Sequence, residues 1–339
     1  MTRSARMTDV AKLAGVSAMT VSRVLNNHRS VSDETRTKVN AAVKQLRYQP
    51  NELARSLREQ RSRQIGVLLP YLFDPFFAIC GHAISTVAKQ HSYSIVLSTS
   101  NENPQSEFDE ANRMLRRNVE GLIVIPAQVR DGKSLLLEQP FQQLPIVTLD
   151  RPVAGGQFTS VLVENERGAQ MGTEHLLRLG QRRIAYIGLT NDLYTMRMRQ
   201  GGYVAAMTNA GLKPEIALLS GVLDGALDSV RKLLAQRRPP TALFCANNLV
   251  TRHVLHSLQK LNLHPPDPIA LVGFDDFDTA DLIRPGITVI RQPIEQLAQH
   301  AAKVLFEQLE GKRRSSRKTA NHITLPVELI VRGSCGARV

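Results

Sequence analysis

Four side chains near the start of the chain have the spacing of a helix surface that could contact DNA. A short helix beginning near residue 17 would direct them outward, because its apolar residues Val21, Val24 and Leu25 lie on the opposite face. The outward side chains are Ala18, Met19, Ser22 and Arg23. In a helix-turn-helix, the first residues of the second helix reach the base edges of the major groove.

A preceding helix and a glycine turn would position this surface. The first helix is expected to run from Thr8, as its N-cap, to about Ala14, with Asp9 at the positive end of the helix dipole. Gly15 stands where a left-handed residue ends a helix, and Ser17 can cap the second helix. A plain helical hairpin has the same spacing, so geometry alone leaves DNA binding open.

A third helix would complete a small N-terminal domain. Ser32 is its expected cap, and apolar residues recur at helical spacing at Val39, Ala42, Val43 and Leu46. Pro50 ends this unit, and residues 51–58 are a helix candidate too short to be stable alone in water. We predict a helix-turn-helix domain over residues 1–50 and a hinge helix with linker over residues 51–64.

Positive charge is concentrated in the same part of the chain. Residues 1–63 carry thirteen Lys and Arg against five Asp and Glu, a net charge of +8 out of +13 for all 339 residues. Such a distribution indicates a polyanionic partner. Charge alone does not separate nucleic acid from an anionic membrane surface.

Cysteine content and hydropathy favour the cytoplasm. The three cysteines, Cys80, Cys245 and Cys335, show neither close pairing nor metal-ligand spacing, which is typical of a reducing compartment. The sequence has neither an apolar run of about 18 residues nor the apolar core of a secretory signal. We expect no membrane association, no metal and no cofactor.

From residue 65 onward, apolar runs alternate with helical patterns in two successive series. This alternation predicts two doubly wound, parallel α/β subdomains with a cleft between them. The expected lobes cover about 65–163 plus 293–323, and about 164–292 plus 324–339. Helices are expected between the strands, including Lys133–Glu138 and Ile294–Leu309. The expected strands are Ile65–Leu69, Ser94–Ser98, Gly121–Ile125, Ile146–Leu149, Ser160–Val163, Arg183–Ile187, Ile216–Leu219, Ala242–Cys245, Ile269–Val272, Val289–Pro293 and Ile323–Val331.

Several motifs resemble those of the lactose/galactose repressor family, and the resemblance covers essentially the whole chain. The most specific is the DNA-binding signature, Thr8-Asp9-Val10-Ala11-x-x-Ala14-Gly15-Val16-Ser17-x-x-Thr20-Val21-Ser22-Arg23-Val24-Leu25-Asn26. Further matches are Leu46-x-Tyr48-x-Pro50-Asn51-x-x-Ala54-Arg55-x-Leu57, Pro240-Thr241-Ala242-Leu243-Phe244-Cys245-Ala246-Asn247 and Val272-Gly273-Phe274-Asp275-Asp276. The family fold is a helix-turn-helix head on a body like the periplasmic sugar-binding proteins.

The resemblance assigns DNA contacts to two segments. Ala18 and Met19 match base-reading positions, and Arg23 matches a residue that contacts either a guanine or only a phosphate. Ser17, Thr20 and Ser22 are expected to cap the helix or to touch phosphates, and Asn26 is a further expected contact in the head. In the hinge, Leu57 matches a leucine inserted into the minor groove, where it would kink the duplex. Arg55 and Arg58 are then expected near phosphates, and Ala54 either at the groove floor or in the contact between the two hinges.

The resemblance also implies an effector site between the lobes, at strand ends where open α/β sheets bind ligands. The matching polar residues are Asp150, Arg151, Arg199, Asn247, Asp275 and Gln292. Phe73, Phe76 and Phe77 could add an apolar face, although core packing is an alternative for each. Helix or turn capping is the alternative for Asn247 and Asp275.

Two departures concern the nature of the effector. Asn248 stands where many relatives have Asp, which removes one carboxylate. Four arginines lie near the expected cleft, namely Arg151, Arg197, Arg199 and Arg291. They favour a sugar acid such as gluconate or ketogluconate over a neutral sugar, unless Arg197 and Arg291 face solvent or a neighbouring subunit.

Together, the charge distribution, the motifs and the family resemblance predict a homodimeric transcription repressor. It would bind a pseudo-palindromic operator under control of a sugar or sugar acid. A solute-binding protein would need a signal peptide and no DNA-binding head. A sugar-metabolising enzyme using Asp275 and Asp276 would need companion motifs that the sequence lacks. Whether the effector induces or corepresses stays open.

Overall fold

The computed structural model describes residues 5–25, 28, 30–48, 61–129, 133–153, 155–156, 158–189, 193–219, 224–311 and 321–338. Contacts along the chain divide it into two units, Met1–Ser62 and Arg63–Val339, which we call the head and the body. The head contains the predicted short helices, and the body contains the predicted sheets.

Three helices form a small core in the head: α1 (Met7–Ala14), α2 (Ala18–Leu25) and α3 (Asp33–Gln45). Each contributes a fully buried valine to one apolar cluster, namely Val10, Val21 and Val39. Burial of such a side chain contributes roughly 2 kcal/mol. The apolar spacing read from the sequence therefore identifies the faces that hold the head together.

The turn between α1 and α2 has the predicted chemistry. Gly15 adopts φ 64°, a left-handed conformation that glycine reaches without steric penalty. Ser17 Oγ accepts a hydrogen bond from the backbone N–H of Thr20 at 3.1 Å, which confirms the cap of α2. Ser32 Oγ caps α3 in the same way through Thr35, at 3.3 Å.

The predicted start of α1 at Thr8 was wrong. The helix begins at Met7, and the backbone N–H of Arg6 donates to Asp9 Oδ2 at 2.8 Å. Because the Asp9 carboxylate satisfies a donor three residues earlier, the cap moves from Thr8 to Arg6.

The body alternates strands and helices throughout. In chain order the elements are β1 (Gln64–Leu69), α4 (Pro75–Gln90), β2 (Ser94–Thr99), α5 (Pro104–Arg116), β3 (Leu122–Val124), β4 (Ile146–Leu149), β5 (Thr159–Val163), α6 (Asn165–Arg178), β6 (Ile184–Gly188), α7 (Tyr194–Asn209), β7 (Glu215–Leu218), α8 (Asp224–Leu234), β8 (Ala242–Cys245), α9 (Asn248–Lys260), β9 (Ala270–Phe274), β10 (Thr288–Arg291), α10 (Ile294–Leu309), β11 (His322–Leu325) and β12 (Glu328–Ile330).

The strands form two sheets with equivalent strand orders, and each sheet belongs to one lobe. The order is β2-β1-β3-β4-β5-β11 in the first lobe and β7-β6-β8-β9-β10-β12 in the second. Neighbouring strands pair in parallel except at one edge of the second sheet, where β12 runs antiparallel to β10 while β11, its counterpart in the first sheet, is parallel to β5. The predicted fold class, a helical head and a body of two doubly wound subdomains, is confirmed.

The chain passes between the lobes at three places: after β5, after β10 and after β11. The last passage lies at residues 326–327, beyond the expected boundary at 323. Leu325 still pairs with Val163 in the first sheet, so the single extended segment expected over 323–331 is divided between the two sheets.

One predicted helix is largely absent. Segment 133–138 forms a single 3₁₀ turn, Leu135–Leu137, capped by Ser134. Pro140 disfavours a helical backbone in Gln139, the residue before it, so the turn cannot extend into an α-helix.

The core of the first lobe includes a helix from near the end of the chain. Leu297, Ala301 and Leu305 of α10 are fully buried in the same apolar cluster as Ile84 of α4 and Val147 of β4. Within the described ranges, no helix combines the length and apolar character needed to cross a membrane.

Candidate functional site

Two aspartates occupy equivalent positions at the ends of the two sheets. Asp150 directly follows β4 and Asp275 directly follows β9, the fourth strand of each order given above. Both have left-handed backbones, with φ 68° and 71°, and both are buried. Aspartate tolerates this conformation better than most residues. The predicted strand-end placement of both carboxylates is therefore what the fold shows.

Arg199, on α7, is the centre of a buried polar cluster in the second lobe and is 2% exposed. Its Nε donates to Asn165 Oδ1 at 2.8 Å, and its Nη1 donates to the carbonyl of Ala246 at 2.8 Å and to Asp275 Oδ2 at 3.3 Å. The guanidinium also lies 3.8 Å from the ring centroid of Phe274. These contacts fix its plane and compensate its buried charge.

Gln292 joins this cluster from the segment that connects the lobes. It is buried, and its Nε2 donates to Asp275 Oδ1. Gln292 Oε1 is buried without a hydrogen-bond partner in the structure. Because a buried unpaired acceptor is costly, this oxygen is suited to a donor such as a ligand hydroxyl.

Asn247 performs the capping role considered from the sequence. Its Oδ1 accepts from the backbone N–H of Val250 at 2.8 Å, at the start of α9. The hydrogen bond occupies its carbonyl oxygen, whereas an amide also carries two donor hydrogens. A ligand contact by Asn247 would therefore come from its NH₂ group.

Arg151 is held inside the first lobe. Its two Nη atoms form a bidentate pair with Glu102 at 2.7 and 2.8 Å, Nη1 also donates to the carbonyl of Pro126, and Nε donates to Asp150 Oδ2 at 3.2 Å. Burial raises the pKa of the Asp150 carboxyl, and the Arg151 charge opposes that shift. The Arg151 guanidinium thus stabilises the charged form of Asp150 through an ion pair within the first lobe.

A second buried carboxyl, Glu107 on α5, lies near this pair. Its Oε2 accepts a hydrogen bond from the backbone N–H of Ala127, and burial raises its pKa to about 7 despite that bond and the Arg151 charge. An acid with a higher pKa in the folded state binds its proton more tightly there. The folded state therefore loses stability as the pH rises from about 4.5 to about 7.

Replacing Glu107 by glutamine is expected to raise the free energy of unfolding at pH 8 by on the order of 1–3 kcal/mol. The glutamine amide oxygen can still accept the hydrogen bond from the backbone N–H of Ala127, and the substitution removes the buried negative charge. At pH 4.5, where the parent carboxyl is protonated, the difference should vanish. Urea unfolding at both pH values measures this, and an equal effect at both would contradict it.

The three phenylalanines divide between core and surface. Phe76 and Phe77 are buried in the first-lobe core, where their rings meet edge to face at 5.3 Å. Phe73 is 78% exposed and lies 4.9 Å from the ring of Tyr71. The core alternative therefore accounts for the packing of Phe76 and Phe77.

Sequence reasoning missed three residues of this region: Asp74, Asn165 and Phe274. Asp74 caps α4 and also accepts a hydrogen bond from Asn248 of the second lobe. Asn165 and Phe274 hold Arg199. An Asp-Pro pair before an apolar helix was an available signal for Asp74, whereas nothing local marked the other two.

The head presents its predicted DNA-contacting side chains on one helix and its cap. Ser17, Ala18, Met19 and Arg23 are exposed, with Met19 at 66%, and Thr20 and Ser22 are half-buried. Thr20 Oγ1 and Ser17 Oγ share a hydrogen bond at 2.9 Å. The remaining predicted DNA contacts, Asn26, Ala54, Arg55, Leu57 and Arg58, lie outside the described residues.

Comparison with known proteins assigns the two units. Residues 6–51 match the model of bacterial regulatory proteins of the lacI family, and residues 173–335 match that of the periplasmic binding protein-like domain. The ribose operon repressor of Escherichia coli K12 is 32% identical over 308 residues, 90% of this chain and 93% of that protein. The chain belongs to the lacI family. The HTH-type transcriptional repressor PurR of Erwinia tasmaniensis is 30% identical to this lacI-family chain over 325 residues, 95% of each.

A solved structure extends the similarity to the whole lacI-family fold. The Lac repressor dimer bound to operator and the anti-inducer ONPF matches with a TM-score of 0.85 and 27% identity, over 99% of this chain and 100% of that one. The chain is accordingly a DNA-binding transcriptional repressor of the lacI family with a ligand-binding body. Among the described side chains, no group of three or more His, Cys, Asp or Glu could hold a metal ion.

Proposed function

We propose that this chain binds a pseudo-palindromic operator as a homodimer and that a small sugar bound between its lobes changes its affinity for the operator. The observation that carries the proposal is the buried cluster of Arg199, Asp275 and Gln292, with Asp150 at the equivalent sheet end of the other lobe. Carboxylates and amides at such strand ends bind sugar hydroxyls. The regulator acts in the cytoplasm, where bacterial DNA lies.

A neutral sugar fits the charges better than a sugar acid. Arg151 is paired with Glu102 and Asp150, Arg199 with Asp275, and Arg291 with Asp276 at 2.7 Å. Three of the four arginines that favoured a sugar acid therefore already have carboxylate partners. A carboxylate ligand would have to compete with those partners, whereas hydroxyls can bond to carboxylates and amides without displacing them.

Calorimetric titration of the full chain with D-ribose, D-glucose and D-gluconate tests the effector class. We expect at least one neutral sugar to bind more tightly than gluconate. Tighter binding of gluconate would overturn the charge argument and restore the sugar-acid interpretation.

In the head, helix α2 offers few side chains that can form hydrogen bonds with base edges. Ala18 and Met19 lack side-chain hydrogen-bond groups, so they can contribute only apolar contacts such as those to thymine methyls. Arg23 is the one exposed side chain of α2 that can form a bidentate pair with guanine. We therefore propose that part of the operator specificity comes from the hinge and from the kink that Leu57 imposes.

Replacing Leu57 by alanine is expected to weaken operator binding more than replacing Met19 by alanine. A leucine wedge stabilises a kinked duplex along its whole interface with the protein, whereas Met19 contributes a local apolar contact. Fluorescence anisotropy with one labelled operator measures both variants at a single salt concentration. Equal losses would refute this order.

A gel shift with the upstream region of the chain's own gene, repeated with each sugar, tests the regulatory function. We expect a shifted band whose midpoint changes with the sugar that binds in calorimetry. By linkage, operator DNA must change the affinity for that sugar by the same factor. Sequence-independent binding with no response to any sugar would count against the proposal.

A further inference from the structure

A hydrogen bond joins the two lobes beside the candidate effector site. Asn248 Nδ2, in the second lobe, donates to Asp74 Oδ1, in the first, at 3.3 Å. Asn248 is the first residue of α9, and Asp74 is the N-cap of α4. Both follow strands of their sheets, so the bond lies at the strand-end edge that also carries Asp150 and Asp275.

The two lobes contribute different groups to this contact: the first lobe supplies a carboxylate acceptor, and the second supplies an amide donor. Asp74 Oδ1 also accepts from the backbone N–H of Phe76 at 3.0 Å, so one carboxylate serves a helix cap and the opposite lobe together. Asn248 is 7% exposed, and its Oδ1 accepts from the backbone N–H of Leu249. Its NH₂ group is therefore the part directed at Asp74.

The surrounding charges show what a carboxylate at position 248 would meet. Burial raises the pKa of Asp74, the Phe76 and Asn248 hydrogen bonds lower it, and the charge of Asp275 raises it further. Arg252, one turn along α9, opposes that shift. The region thus already contains two carboxylates, and the neutral amide of Asn248 adds a donor without adding a third.

We propose that Asp74 and Asn248 form a clasp that holds the two lobes closed, and that the clasp requires a carboxylate or amide acceptor facing an amide donor. The clasp rests on the proposed function in one respect only: the cleft between the lobes is taken to be the effector site. It explains the departure at position 248: an asparagine there suits an aspartate on the opposite lobe. Effector affinity is then set partly by residues that need not touch the effector.

Spin labels on the two lobes of the full chain test the clasp without sugar or DNA. Gln105→Cys on α5 and Lys232→Cys on α8 are exposed labelling positions, and the native cysteines are all buried. Excess unlabelled chain keeps the measured distances within one subunit. We expect Asn248→Asp, which opposes two carboxylates, to move the distance distribution by several ångströms and to broaden it.

Two further variants separate the clasp from a general loss of structure. Asp74→Asn keeps an acceptor for Phe76 and for Asn248, so its distribution should match the parent. Adding Asp74→Asn to Asn248→Asp exchanges donor and acceptor and should restore the parent distribution. Circular dichroism establishes that each variant is folded, and Asn248→Ala, which removes the donor without adding charge, should also broaden the distribution if Asn248→Asp fails to fold.

An unchanged distribution in Asn248→Asp or Asn248→Ala would overturn the clasp, as would a double variant that stays as open as the single one. Neither result bears on operator or sugar binding, since neither ligand is in the sample. Conversely, a chain that binds neither ligand can still show the expected differences in distance distribution between the parent and the variants. The clasp and the proposed function can therefore be refuted independently.

Discussion

Replacing Arg199 by methionine is expected to weaken sugar binding by about 10–100-fold, because a hydrogen bond from a charged donor to a ligand contributes roughly 1.5–3 kcal/mol. The variant keeps an unbranched side chain but loses the guanidinium over the Phe274 ring, and it leaves Asp275 without its cation and Asn165 without its donor. Calorimetry with the sugar that binds the parent measures the loss. The same variant should shift operator DNA in a way that no longer responds to that sugar.

Arg291→Met is the matched control. Arg291 pairs with Asp276 through Nε and Nη2, but its side chain is 46% exposed. An exposed pair contributes only about 0–1 kcal/mol, so sugar affinity should stay within about threefold of the parent. Equal losses in the two variants would show that general positive charge, rather than the buried Arg199 cluster, governs binding.

The second large effect is expected on stability. Arg151→Met should lower the free energy of unfolding of the body by about 3–5 kcal/mol, because it leaves the Glu102 and Asp150 carboxylates without their shared buried cation. Urea unfolding followed by circular dichroism measures this change, and the body transition is analysed apart from that of the head.

Arg113→Met provides the comparison for Arg151. Arg113 pairs with Glu110 one turn away on α5, at 2.8 Å, with 60% of its side chain exposed. Its loss should change stability by at most about 0.5 kcal/mol. Should Arg151→Met prove as mild, the buried network would not be what holds Asp150 in place.

Much of the architecture follows from local patterns. Apolar strand runs and the helices between them give the doubly wound class, because a parallel strand needs a crossover before the next. Gly15 and Ser17 likewise predict the head turn, since their conformational and capping preferences act within a few residues. The start of α1 failed because two acceptors, Thr8 and Asp9, compete for the same local role.

The partners of the buried arginines could not be predicted in the same way. Arg151 is paired with Glu102, 49 residues earlier, and the clasp joins Asp74 with Asn248, 174 residues later. Residue types suggested that these side chains were polar groups at strand ends. Only the folded arrangement shows whether an arginine faces a ligand or a carboxylate of its own chain.

The late position of α10 has a consequence for synthesis on the ribosome. Leu297, Ala301 and Leu305 fill the first-lobe core, and β11 supplies an edge strand of the same sheet. A nascent chain that has emerged only to residue 290 therefore contains every residue of β1 to β5, and α4, but it lacks α10 and the edge strand β11. The first lobe is completed only after all of the second lobe except β12 and the residues that follow it has been made, so the part of its core that α10 fills stays open until then.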